Sequence, residues 1–162
     1  VKSLLEAFTA WAVSRAKAKG HAPIPVVTFG GDFLFHRFEF LWPDEWPDFI
    51  WDKHKEEFPQ RPYKMPWWRP INAFVHQWNM APELREAVHD LPRWSITICL
   101  RGRIIERTPW SVRLLKPGSI VVRSHKAIHS FEIPTGFAGE TWTLFIVGRR
   151  KHRQNVYAVT PR

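Results

Sequence analysis

Few residues in this chain announce chemistry by themselves. Cys99 is the only cysteine, so no internal disulfide framework is available. Its place in the apolar run 94–100 reads as an inert buried thiol. Gly30-Gly31 lacks the further glycines and the following helix of a phosphate-cradling loop, and reads as a hairpin turn. Two places mix basic and aromatic side chains or crowd basic ones: Trp67-Trp68-Arg69 and the run Arg149, Arg150, Lys151, His152, Arg153. Such groups could hold phosphates and stack bases, but no recognised nucleic-acid module accompanies them, and a run of this kind is more often solvated surface.

The chain has 162 residues, the size of one domain with a real core. Lys and Arg outnumber Asp and Glu by 24 to 15, a net charge of +9. That surplus suits an anionic partner, whether small molecule, nucleic acid or acidic protein surface. An apolar content of 44% excludes wholesale disorder. Ten Trp and twelve Phe either fill a broad interior or line a cleft. No apolar run approaches the roughly 20 residues needed to span a bilayer, no signal peptide is read at Val1, and a soluble cytoplasmic protein is expected.

The elements that must position any site are mostly strands. Segments 94–100, 103–107, 111–115, 119–123, 129–133 and 141–147 each carry apolar residues at every second position, as in Trp94, Ile96, Ile98 and Leu100 or Trp142, Leu144 and Ile146. Period two marks a strand with one buried face. Turn residues separate them at Arg101-Gly102, Thr108-Pro109, Lys116-Pro117-Gly118 and Pro134-Thr135-Gly136. Regular spacing of this kind predicts an all-β sandwich or barrel. Segments 26–29, 33–40 and 71–80 add further strands, and 82–89 reads as a polar turn or single helical stretch. Residues 3–19 predict a helix: Ser3 and Glu6 have capping-box spacing, Leu4, Phe8, Trp11, Ala12 and Arg15 trace a stripe, and Gly20 stops it. That stripe is expected to dock on the barrel. Segment 41–70 is rich in Trp and Pro with little periodicity, and reads as a lid or an assembly surface.

Several runs together resemble a cupin group from bacteria and their phages. They are Phe74-Val-His-Gln-Trp78, the stretch from Glu83 through His89-Asp90-Leu91-Pro92 to Gly102, then Leu115-Lys116-Pro117-Gly118, Arg123, His129 and Trp142 through Gly148. The resemblance covers about residues 73–150. It implies a double-stranded β-helix (jelly-roll) barrel in one domain over 1–162, with an N-terminal helix in 1–22, an insertion at 41–70 and the barrel core at 71–150. It also implies a divalent metal inside the barrel, with His89, Glu106 and His129 as matching ligands. The family's second His is Leu91 here, and its Trp-Gly-Phe tail is Gln154-Asn155-Val156.

Imidazole and carboxylate ligands together suit iron, manganese, nickel or zinc. Leu91 cannot coordinate, so a retained ion binds with fewer ligands. His125 could substitute only across a turn, because four residues along a strand span about 13 Å. If no metal binds, Glu106 needs a cation such as Arg123, since a lone buried carboxylate is expensive. Three functions remain open at this point. One is a metal-dependent site for a small anionic ligand, held by Arg123 with His125, Trp67 and Trp68 nearby. Another is a metal-free binding or structural barrel, with 41–70 as an interaction surface for homo-oligomers. The third is nucleic-acid binding.

Overall fold

The computed structural model describes residues 2–20, 23–27, 33–41, 71–80, 88–149 and 156–157. The 41–70 insertion beyond Leu41, with Trp67 and Trp68, lies outside the described residues, as do Gly30-Gly31 and the basic run 149–153 beyond Arg149. Among the described residues one helix, α1 (Lys2–Ala18), precedes eleven strands. They are β1 (Ile24–Val27), β2 (Phe33–Phe38), β3 (Asn72–Trp78), β4 (Val88–Asp90), β5 (Ser95–Arg101), β6 (Ile104–Arg107), β7 (Val112–Leu115), β8 (Ile120–Arg123), β9 (Ile128–Glu132), β10 (Thr141–Val147) and β11 (Val156–Tyr157). All the pairings are antiparallel. They build a six-stranded sheet in the order β1-β2-β3-β10-β5-β8 and a five-stranded sheet in the order β11-β4-β9-β6-β7. This is the double-stranded β-helix expected from the sequence. No helix among the described residues is long and apolar enough to cross a membrane.

The strand periods were legible, but the apolar stripe of the larger sheet faces outward. Ile98, Leu100, Trp142, Leu144 and Ile146 pack with Phe38, Ala73 and Val75 against α1. The inner face of the same strands carries Ser95, Thr97, Cys99, Thr141 and Thr143, all buried. These positions give β5 and β10 hydrogen-bonding capacity inside the barrel, while the neighbouring β3 fills its part of the interior with Phe74, His76 and Trp78. The helix covers the greasy side over β2, β3, β5 and β10, while on the edge strand β8 the outward Ile120 and Val122 remain exposed.

Docking shifts the expected helix stripe by one position. Ala12 and Ala16 are fully buried, with Leu5, Phe8 and Val13 packed around them, while Leu4 is 72% exposed. The two alanines let the helix approach the sheet closely. The helix begins at Lys2, so Ser3 lies inside it rather than at the cap. It ends as expected, with Gly20 at φ +72° and its N–H donating to the Lys17 carbonyl at 2.9 Å. The basic C-terminal residues also tether the helix. Arg15 Nε donates to the Phe40 carbonyl at 3.2 Å and Lys19 Nζ to the Leu41 carbonyl at 2.9 Å. Phe40 then meets Phe8 edge-on, with centroids 5.8 Å apart.

Two short strands were missed in the sequence. Val88 and His89 belong to the stretch 82–89, expected as a polar turn or single helical stretch, yet Val88–Asp90 is a strand that pairs with β9 and carries His89. Val156–Tyr157 pairs with β4 in turn. At Gly102, φ is +73°, and an added Cβ would lie 2.7 Å from the Thr141 Cα; this turn admits only glycine.

Candidate functional site: a histidine pair beside a buried ion pair

Register brings the chemistry together. Residues directly opposite one another in an antiparallel ladder project to the same face. His89 is opposite His129, Glu106 is opposite both Phe131 and Arg113, and Ser95 is opposite Arg123. Since His129 and Phe131 alternate with outward residues along β9, all these side chains share the inner face. The six-stranded sheet supplies Ser95, Thr97 and Arg123; the five-stranded sheet supplies His89, Glu106, Arg113 and His129.

The three residues implied as ligands do converge, but not as a three-ligand set. His129 is the centre: Nε2 lies 3.1 Å from His89 Nε2, and Nδ1 lies 3.3 Å from Glu106 Oε1. Glu106 therefore stands behind His129, not beside the two Nε2 atoms. Its Oε1 also accepts from Arg123 Nε, and Arg123 Nη1 donates to Thr97 Oγ1 at 2.7 Å. The guanidinium lies over Phe131, 5.4 Å from the ring centroid, and the same ring packs against His129 at 4.9 Å. Glu106 and His129 are each 1% exposed.

The electrostatics follow from this contact order. Burial alone would raise the Glu106 pKa, but hydrogen bonds from His129 and Arg123 and the guanidinium charge overcome it, giving about 2. Burial lowers His129 to about 4 against the opposing hydrogen bond to Glu106, with His89 and Arg123 lowering it further. At neutral pH the carboxylate is charged and the imidazole is not. A neutral His129 that donates Nδ1–H to Glu106 must present Nε2 as an acceptor, so the His89 Nε2–H donates to it.

A divalent ion of the kind the resemblance implies needs more than this set offers. Glu106 is committed to Arg123 and to the rear nitrogen of His129, and Leu91 is a buried hydrocarbon where a second imidazole would stand. Among the described residues, no three His, Cys, Asp or Glu side chains gather as a metal would require. A three-ligand centre does not fit. His125 is exposed, in the turn between β8 and β9, and does not line the cleft described next.

A cleft of about 410 Å³ opens over this cluster, lined by Glu106, Arg113, Arg123, Lys126 and His129, with Trp110 at its rim. Trp110 is 92% exposed. It projects from a turn closed by Thr108, whose Oγ1 accepts from the Ser111 N–H at 3.0 Å. Lys126 is the only non-glycine residue among those described with positive φ, at +70°. Its N–H donates to the Leu91 carbonyl at 2.9 Å, and the Leu91 N–H donates back to the Ala127 carbonyl at 3.1 Å, which pins the strained turn. Arg113, Lys126 and Thr97 were missed in the sequence. Arg113 could have been found: with a symmetric turn at 108–111, it falls opposite Glu106.

No protein-family model and no curated protein matches the chain. Solved structures do. The DMSP lyase DddQ from Ruegeria pomeroyi is similar at 16% identity and a TM-score of 0.55, over 85% of this chain and 62% of that one. A chain from the DMSP lyases RdDddP and RnDddQII gives 15% identity and 0.50, over 76% and 53%. A cupin-2 domain from Rhodospirillum rubrum gives 14% and 0.47, over 59% and 62%. The chain thus spans between half and two thirds of these proteins' lengths. The likeness is one of fold: a cupin-type double-stranded β-helix.

Proposed function

We propose that the barrel binds a small anion in the cleft beside His129, with Arg123 filling the counter-charge role toward Glu106 that a metal would otherwise take. One observation carries this reading: the cleft walls bring Arg113, Arg123 and Lys126 together against the single carboxylate of Glu106. Arg123 and Glu106 offset each other, so Arg113 and Lys126 leave a surplus of positive charge. Both are exposed and can reach an incoming carboxylate or phosphate, Arg113 through its planar fork. The strained backbone at Lys126 supports a functional role there, because such strain collects where a side chain must be aimed. Titration calorimetry with a panel of small carboxylates and phosphates tests the reading. We expect binding that weakens with salt and falls tenfold or more in Arg113→Ala/Lys126→Ala. Equal affinity in that variant would overturn it.

A second reading is favoured by one distance. Two Nε2 atoms 3.1 Å apart match the separation of neighbouring ligands on one transition-metal ion. His89 and His129 would then hold the ion, with Glu106 orienting His129 through Nδ1 as outer carboxylates do, and the ion would polarise a bound oxygen. Iron, manganese, nickel and zinc all accept imidazole. Stoichiometric uptake of one of them, lost in His89→Ala, would favour this reading over the first.

A further inference from the structure

The Arg123–Glu106 contact is one-pronged where the chemistry allows two prongs. Nε donates to Oε1, but Nη2 and Oε2, which could complete a side-on fork, are both buried and have no partner among the described residues. The guanidinium is not free to turn, because Nη1 is taken by Thr97 Oγ1 and its plane rests over Phe131. The carboxylate is held by its shared Oε1, which also meets His129 Nδ1. Ser95, directly opposite Arg123 across β5 and β8, adds a third buried polar atom, Oγ, without a partner among the described residues. Buried donors and acceptors are rarely left unmatched, and each such group asks what fills it.

The geometry points to a hydroxyl subsite: the anion taken up by the cleft is a small hydroxycarboxylate, whose hydroxyl accepts from Arg123 Nη2 and donates to Glu106 Oε2. This deepens the anion-binding reading and rests on it. The charge pattern selects the group. A second anionic oxygen would be repelled by Oε2, and a cation by Nη2. A neutral group that both donates and accepts satisfies the two together, and Ser95 Oγ can take either role. Arg113 and Lys126, nearer the mouth, would hold the carboxylate of the same molecule. A site built to pair a hydroxyl rejects the analogue lacking it, since its own polar atoms are then left buried and bare.

The test is calorimetry of matched pairs on the full chain: malate against succinate, and 3-hydroxybutyrate against butyrate. We expect the hydroxylated member of each pair to bind roughly tenfold tighter or more. In Ser95→Ala that preference should shrink while succinate affinity holds. If both members bind equally and still depend on Arg113 and Lys126, the subsite holds only water and this inference fails while the anion reading stands. If no member binds, both fall together.

Discussion

The Nε2 atoms of His89 and His129 face each other at 3.1 Å across the β4–β9 pair, with the Glu106 carboxylate at the rear of His129. That arrangement fixes a proton order running from His89 through His129 to Glu106. It also turns the two Nε2 atoms away from Glu106, the only carboxylate among the described cleft residues. The counter-charge for Glu106 is then Arg123, and removal of either partner has different consequences.

Replacing Arg123 by Met leaves a buried carboxylate with no cation. Breaking a buried pair in this way costs about 3–5 kcal/mol, whereas replacing both partners by apolar residues is often near neutral. We expect Arg123→Met to lose stability in that range by urea unfolding, and Arg123→Met/Glu106→Leu to recover most of it. A loss below about 1 kcal/mol in the single variant would mean the pair carries little.

The pH profile has a definite sign. His129 is held at about 4 in the folded chain against an ordinary 6.5, and Glu106 at about 2 against 4.5. In both cases the unfolded chain binds more protons between the two values, so stability falls as pH falls. The contribution of His129 is present above pH 6.5 and lost toward pH 4; that of Glu106 is present above pH 4.5 and lost toward pH 2. Each shift corresponds to about 3 kcal/mol at full extent, and the two share one hydrogen bond, so together they give less than twice that. Urea midpoints across pH 3–8 should be flat above 7 and decline below 6.5. His129→Gln should remove the upper part of the decline.

Lys126 holds a left-handed backbone that glycine adopts without penalty. Left-handed geometry costs a side chain about 1–2 kcal/mol, and glycine's extra freedom when unfolded offsets about 0.5–1 of the gain. Lys126→Gly should therefore be as stable as the parent or slightly more so, while anion affinity drops. Thermal unfolding and calorimetry on the same samples check both halves.

Much of the architecture was legible because period two and turn residues are local signals. Strand β10 was read over its full length, and the cation partner for Glu106 was named as Arg123 from the cost of a lone buried carboxylate. The face of the sheet was not legible. Ile98, Leu144 and Ile146 form the apolar stripe, and only the docking of α1 shows that this stripe lies outside the barrel. Residues 88–90 are too short a strand to carry a periodicity, so His89 came from the family resemblance rather than from pattern. Arg113 and Lys126 owe their place to register and to a strained turn, which depend on the assembled sheets.

Anion titration in the presence and absence of a strong chelator tests the central reading most directly. Because Arg113 and Lys126 supply the uncompensated positive charge, we expect malate to bind with the same affinity in both conditions and to lose at least tenfold in Arg113→Ala/Lys126→Ala. Binding abolished by the chelator and restored by a divalent transition metal would contradict the account.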